Sequence, residues 1–200
     1  MIRALAVILA AVSALWWVWP NAVDAPMRIY TEPDAKPLLV FVKTKADLPP
    51  LDKNALRALA VDFPQTGYFG AFAIGRDGHF GWVGNRHDIH TARIGALSRC
   101  GDGCEIVLET YPAGYKPETI GRTVSAKLAA AVADRAAAGA ASALYYALAP
   151  NGAWALQQAD ETGPLASLFV LNRCRNFLEG THRREGCTLF HGPFIKSPPP

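Results

Sequence analysis

The sequence predicts an α+β fold with two tandem strand-strand-helix-strand repeats, an antiparallel sheet with helices packed on it, and a disulfide that closes each repeat. Two observations lead to this prediction. Asp-Gly at residues 77–78 and Asn-Gly at 151–152 each separate two apolar runs, a pattern typical of a β-hairpin. Cys100 follows the first turn at the same distance in sequence as Cys174 follows the second. The two turns are 74 positions apart, and so are the two cysteines. A fixed interval between matching features indicates an internal repeat.

The elements of the first repeat follow from residue periodicity. Residues 69–74 and 80–84 are predicted to pair across the turn, and apolar side chains recur at helical spacing in residues 89–100. A short strand is expected at 105–109. Upstream, the uninterrupted apolar run at 38–42 predicts a buried strand.

The second repeat has the matching elements. Strands are predicted at 144–148, 154–158 and 188–190, and an alanine-rich helix at 123–138 precedes the hairpin. A helix at about 52–63, introduced by two prolines, holds the same place before the first hairpin. The helix between the second hairpin and its last strand should bury one stripe of side chains, Leu165, Leu168, Leu171, Cys174 and Leu178.

The N-terminus resembles an export signal. Arg3 precedes an apolar run at 4–19, and small residues lie where a cleavage site would end at Ala25. The prediction is therefore a signal peptide at 1–25. The alternative is a retained N-terminal anchor, because Pro26 would follow the cut and the run contains three tryptophans typical of a membrane interface. Either alternative places the protein in the periplasm or outside the cell, or attached to the inner membrane.

The rest of the chain divides by composition. Prolines among polar residues predict an extended tether at 26–37, outside the core. The two repeat units are expected at 38–110 and 111–195. Residues 196–200 are expected to form a frayed tail. Half of the 200 residues are apolar, which is enough for a well-buried domain.

The four cysteines predict two local disulfides, because in each repeat one cysteine ends the helix and the next begins a strand. In an exported chain this spacing favours Cys100 with Cys104 and Cys174 with Cys187. The other pairings are alternatives. A four-thiolate zinc site has the right number of ligands but lacks the close Cys-x-x-Cys spacing.

A histidine cluster at the first hairpin is the candidate for metal binding or acid-base chemistry. His79, His87 and His90 lie close in sequence, with Asp88 beside them. A structural role is the preferred interpretation, because the second repeat lacks these histidines and Asp88 suits the cap of a helix. Replacing all three histidines should then leave stability nearly unchanged. On this interpretation no metal is expected. No cofactor is expected either, since phosphate-binding and dinucleotide-binding loops are absent from the sequence.

Arginines crowd the end of the last helix and the loop after it. Such a patch suits an anionic partner, whether a glycan, a lipid surface or an acidic envelope protein, although cations near a helix C-terminus need no partner at all. Nucleic acid is not expected, because the aromatic residues belong to hairpins. Membrane contact would come only through an uncleaved N-terminal segment. The patch comprises Arg173, Arg175, Arg183 and Arg184.

The first repeat resembles a family of small exported bacterial domains of unknown function. The resemblance lies in the Gly70-Ala71-Phe72-Ala73 strand, the Ala96-Leu97-x-x-Cys100 helix end and the strand that follows Cys104. The second repeat departs from the pattern at its opening and at the helix end. The resemblance implies a fold and no catalytic residue.

These observations favour an exported noncatalytic domain that binds an envelope or extracellular partner. A small metal-dependent enzyme or metal carrier using His79, His87 and His90 is one alternative. A structural, membrane-tethered envelope protein is the other. A pocket formed by the histidines would favour the enzyme, and a concave or apolar surface outside the core would favour the binding protein.

Overall fold

The computed structural model describes residues 22–30, 37–44, 47–66, 68–116, 122–137, 143–158, 165–178 and 186–196. These residues form an α+β fold, as predicted, but the strands divide between two sheets, whereas the sequence predicts one antiparallel sheet. In chain order the elements are β1 (Val23–Asp24), β2 (Met27–Ile29), β3 (Leu38–Phe41), α1 (Lys53–Arg57), β4 (Phe69–Ile74), β5 (Phe80–Arg86), α2 (Ile89–Cys100), β6 (Glu105–Tyr111), β7 (Arg122–Thr123), α3 (Ala126–Ala137), β8 (Ala143–Leu148), β9 (Trp154–Gln158), α4 (Ala166–Asn176) and β10 (Thr188–Lys196).

The first sheet is antiparallel, in the order β3-β6-β4-β5. Because successive strand residues face opposite sides, β4 contributes to two cores. Ala71 and Ala73 pack with α2, and the small side chains let the helix come close. Phe72 and Ile74 face the segment after α1, where the Phe63 and Phe72 rings meet edge to face at 5.6 Å.

The second sheet is mixed, in the order β7-β2-β10-β8-β9 with β1 also paired to β10. Strands β9, β8 and β10 are antiparallel to their neighbours in this run. Strands β1 and β2 run parallel to β10, and β7 runs parallel to β2. Tyr146 of β8 faces α3 in one core, and the neighbouring Ala147 faces α4 in another. Thus α3 and α4 cover opposite faces of this sheet.

The two predicted units have the same connectivity. In each, a hairpin is followed by a helix and a strand that returns to the first hairpin strand, giving β6-β4-β5 and β10-β8-β9. The turn residues Gly78 and Gly152 both have positive φ, near 90°, which explains glycine there. The disulfides Cys100–Cys104 and Cys174–Cys187 are present as predicted. Common ancestry of the units, as a tandem repeat, stays a prediction.

The N-terminal tether is a wrong prediction for part of its length. Met27 and Ile29 are buried in the core beneath α3, because β2 pairs with the last residues of β10. Pro26 directly precedes this short strand and does not keep it outside the fold. Most of the predicted export segment, residues 1–21, lies outside the described residues, as do residues 31–36 of the predicted tether. Of the predicted tail, residues 197–200 also lie outside them, and Lys196 belongs to β10.

The predicted buried strand at 38–42 is present but exposed, which is the largest correction. Each of these five apolar residues is between 37 % and 61 % exposed. The strand is β3, at the edge of the first sheet, and it pairs with β6 on one side only. Its apolar composition indicated burial, but neither the layer of α2 nor that of α1 covers it.

Two helices also differ from their predictions. The helix expected at 52–63 begins as predicted, where the Asp52 carboxylate accepts a hydrogen bond from the Ala55 amide at 2.7 Å. After Arg57 the chain continues as a π-helical turn and then as a 3₁₀ turn that contains Pro64. Of the five side chains predicted to be buried on the last helix, Leu171, Cys174 and Leu178 are buried. Leu165 and Leu168 are exposed. The residues that α4 buries are Ala166, Ser167, Val170, Leu171 and Cys174.

Candidate functional site

A cleft of about 500 Å³ opens beside β9, the outer strand of the second sheet. It lies where α3 and α4, which cover opposite faces, both reach past the edge of the sheet. Its volume falls in the range of ligand-binding pockets. We call it the edge cleft and define it by Lys127, Arg135, Trp154, Leu156, Arg173 and Phe177.

The edge cleft is cationic. Lys127 and Arg135 come from α3 and Arg173 comes from α4, whereas no carboxylate of the described residues lines the cleft. Within the same described ranges, none of these three cations forms an ion pair. Cations gathered around a concavity and not neutralised raise the local concentration of anions.

Apart from Asn151, the other side chains that line the cleft are apolar. Trp154 is half-buried against the core under α3, and Phe177 is 56 % exposed at the end of α4. Aromatic rings beside cations are typical of binding surfaces, because the rings contribute apolar area and the charges fix orientation.

The predicted arginine patch is only partly in this site. Arg173 lines the edge cleft, while Arg175 is exposed on α4 outside it. Arg183 and Arg184 lie outside the described residues. Lys127 and Arg135 were missed, although the sequence carries a sign of them: they flank Ala131 at intervals of four along α3, beside the buried stripe of Leu128 and Val132.

The histidines separate into different environments. His87 is buried, and its ring bridges the two units: Nδ1 accepts from the Ser125 amide at 2.9 Å, and Nε2 donates to the Ala153 carbonyl at 3.2 Å. Burial lowers the pKa of His87 to about 4. Both ring nitrogens are therefore occupied, which removes His87 from the candidate metal ligands. His90 is exposed on α2.

Asp88 acts as a helix cap, in agreement with the preferred interpretation. Its carboxylate accepts from the Thr91 amide at 2.8 Å at the start of α2. It also lies 3.7 Å from the guanidinium of Arg122. The capping bond gives Asp88 a structural role.

His79 lies beside the first disulfide. Its Nε2 is 3.0 Å from Sγ of Cys104, and its Nδ1 donates to the carboxylate of Asp77. This hydrogen bond lowers the pKa of Asp77. The group formed by His79, Cys100 and Cys104 is the one set of possible metal-ligating side chains found close together in the described chain. Both sulfurs are in a disulfide, however, and a metal ligand would have to be a thiolate.

Comparisons with protein-family models, with curated proteins and with solved structures each gave no match. The resemblance to a family of exported domains therefore stays a prediction. None of the helices in the described ranges has the length and apolar character that a membrane crossing requires. The two disulfides are consistent with an exported protein.

Proposed function

We propose that this chain is an exported noncatalytic domain whose edge cleft binds an extended, acidic segment of an envelope protein. The observation that carries the proposal is the set of three cations, Lys127, Arg135 and Arg173, around a cleft to which the described residues contribute no carboxylate. The carboxylates of a bound segment would neutralise these three cations in a partly desolvated site. Charge complementarity in such a site strengthens binding and speeds association.

An extended segment fits because the cleft lies against a strand edge. β9 pairs with β8 on one side, and no described strand pairs with the other. Strand addition takes place at a sheet edge of this kind, through the amide and carbonyl groups of the backbone. Trp154 and Leu156 lie two positions apart, so they share one face of β9. Trp154 is half-buried and offers part of its ring to a side chain of the added strand, whereas Leu156 is 3 % exposed and belongs to the core.

A protein partner is favoured over a glycan or a lipid headgroup. The edge cleft combines its charges with a tryptophan, a leucine and a phenylalanine. The exposed apolar strand β3 is a second candidate contact surface. A contact there would be stabilised by burial of apolar side chains, which a protein supplies and an anionic sugar does not. Export is supported by the disulfides and by the N-terminal sequence.

Site-specific photo-crosslinking in living cells tests the proposal. A photoreactive phenylalanine analogue at Phe177 should give discrete adducts with an envelope protein, whereas the analogue at Leu56, which is 51 % exposed on α1, should not. In the Phe177 background, Lys127→Gln, Arg135→Gln and Arg173→Gln together should reduce the adducts at least about tenfold, since exposed charge pairs contribute on the order of 0.5 to 1 kcal/mol each.

The matched control removes the same charge elsewhere. Lys53→Gln, Arg57→Gln and Arg175→Gln change exposed residues outside the cleft and should leave the adducts unchanged. Adducts with a cytoplasmic protein would contradict export. An absence of protein adducts, together with charge-dependent retention on an anionic glycan, would replace the protein partner with a glycan.

A further inference from the structure

The first disulfide differs from the second in what surrounds it. Cys100 ends α2 and is 8 % exposed, while Cys104 precedes β6 and is more accessible. The imidazole of His79 reaches Cys104 Sγ through Nε2 at 3.0 Å, and Asp77 holds the other ring nitrogen. A hollow of about 450 Å³ opens over this group, so that another molecule has access to Cys104.

The second unit provides an internal comparison. At the interval of 74 positions, Asn151 and Ala153 replace Asp77 and His79. Cys174 Sγ still lies 4.0 Å from the carbonyl oxygen of Ala153, as Cys100 Sγ lies 3.7 Å from that of His79. The backbone arrangement is therefore shared, but among the described residues, which leave out 179–185 of the second loop, only the first disulfide has an imidazole and a carboxylate beside it.

Gly75 makes room for the imidazole. A β-carbon at this position would overlap the ring of His79. The corresponding residue of the second unit is Ala149. Gly75 thus gives a second way to move the ring from Cys104, without removing it.

We infer that Cys100–Cys104 is a thiol-disulfide exchange site, with Cys104 as the accessible sulfur, His79 as its proton partner and Asp77 as the group that orients the imidazole. The substrate class is a pair of cysteine thiols in another protein of the same compartment. A cysteine, a base in hydrogen-bonding reach and an orienting group form the arrangement that activates sulfur nucleophiles. This activity is separate from the edge cleft and does not depend on it.

The two substrate thiols lose their protons, one to Nε2 of His79 and one to solvent. A substrate thiolate attacks Sγ of Cys104, the disulfide breaks, and Cys100 leaves as a thiolate that takes up a proton. The second substrate thiolate then attacks the substrate sulfur of the mixed disulfide. Cys104 leaves as a thiolate, stabilised by the protonated imidazole of His79. The substrate dithiol loses two electrons and becomes a disulfide, and the protein gains them as two thiols.

Charged groups from each adjoining segment face this site. Arg76 and Asp77 come from the hairpin turn, Asp102 from the loop after α2, and Glu105 from the start of β6. Lys43, after β3, pairs with Glu105. Arg76 stabilises a thiolate at Cys104, and the carboxylates destabilise it. A lowered pKa of the Cys104 thiol therefore has to come from His79.

The test uses a folded chain with one free thiol. Cys100→Ser leaves Cys104 free beside His79, and Cys174→Ser leaves Cys187 free in the second unit as the matched control. The rate of alkylation by iodoacetamide is followed against pH, with circular dichroism as a check of folding. We expect the midpoint for Cys104 to lie at least about one pH unit below the ordinary cysteine value of about 8.5, and that for Cys187 to lie near it.

Two further variants test the role of His79. In the Cys100→Ser background, His79→Ala or Gly75→Ala should slow alkylation at pH 6 about tenfold and return the midpoint to the ordinary range. Coincident profiles for Cys104 and Cys187, or a profile that His79→Ala leaves unchanged, would overturn the inference.

The wild-type chain gives an independent measurement. In a graded series of a small dithiol at pH 6, followed by alkylation and peptide mass analysis, Cys100–Cys104 should open before Cys174–Cys187. Opening of both disulfides at the same dithiol concentration would also overturn the inference.

Discussion

At the scale of single residues, His87 shows how one side chain joins the two units. Its Nδ1 accepts a hydrogen bond from the Ser125 amide near the start of α3. Its Nε2 donates a hydrogen bond to the Ala153 carbonyl in the second hairpin. The neighbouring Asn85 accepts from the Ala126 amide at 2.8 Å. The loop between β5 and α2 therefore caps a helix of the other unit.

His87 should make stability depend on pH. Its pKa is about 4 in the folded protein and 6.5 in the unfolded chain, so the unfolded state binds more protons between these values. The free energy of unfolding should therefore fall by up to about 3 kcal/mol as pH decreases from 6.5 to 4. Denaturant unfolding across this range measures the effect.

His87→Asn is the informative variant, because its amide oxygen can still accept from the Ser125 amide but does not titrate. It should lose less stability than the wild type over this pH range. His90→Asn, at an exposed position, should behave like the wild type. Parallel pH curves for the wild type and His87→Asn would show that His87 is not the titrating group.

Residue roles were predictable from sequence only where local geometry decides them. Asp88 caps the helix that begins next to it, and the paired cysteines lie only 4 and 13 positions apart in sequence. The expectation that all three histidines are dispensable for stability conflicts with the burial of His87. Its partners are 38 and 66 positions away, and no sequence pattern connects them.

At the scale of elements, Gly81 sets how closely α2 approaches its sheet. A β-carbon there would lie 2.4 Å from the Cys100 amide nitrogen and 2.7 Å from the Arg99 carbonyl carbon. The second unit has Ala155 at the corresponding position, buried against α4. The two helices therefore meet their hairpins through different side-chain volumes.

Gly81→Ala should destabilise the protein by about 1 to 3 kcal/mol, because the obstructing atoms are backbone and the end of α2 has to shift. Gly95→Ala is the control: its β-carbon would lie 3.2 Å from the Val83 methyl groups, and alanine favours the helix. It should stay within about 1 kcal/mol of the wild type in denaturant unfolding. Equal losses in both variants would contradict this account of Gly81.

The hairpins and α2 were predictable because turn glycines and periodicity are local properties. Strand β3 and part of the buried face of α4 were not. An apolar run indicates burial, yet the covering layers end before β3. In α4 the predicted Leu171 and Cys174 are buried, but Leu168 is exposed and Val170 packs against the alanines of the second hairpin.

At the scale of the whole molecule, the N-terminal strands complete the second sheet. Ala25 donates its amide to the His191 carbonyl at 2.9 Å and accepts from the Tyr146 hydroxyl at 2.8 Å. Met27 and Ile29 then join the core under α3. Residues at both ends of the described chain therefore share one sheet, which the sequence could not show because their pairing spans more than 160 positions.

The edge cleft is likewise a product of the whole fold. Arg173 is far in sequence from Lys127 and Arg135, and it reaches the same cleft because α3 and α4 cover opposite faces of one sheet. The sequence predicted a basic patch at the end of α4. It could not predict the cations of α3 that share the cleft, since sheet geometry brings them together.

The central claim is that an acidic segment adds to the edge of β9, and amide hydrogen exchange tests it most directly. The segment captured at Phe177 is synthesised and added to the purified protein, and exchange is measured in peptides that cover β9 and β3. The account predicts slower exchange in β9, and loss of this protection when Lys127, Arg135 and Arg173 are all glutamine. Unchanged exchange in β9 with protection of β3 would contradict it, because the partner would then occupy the edge of the other sheet.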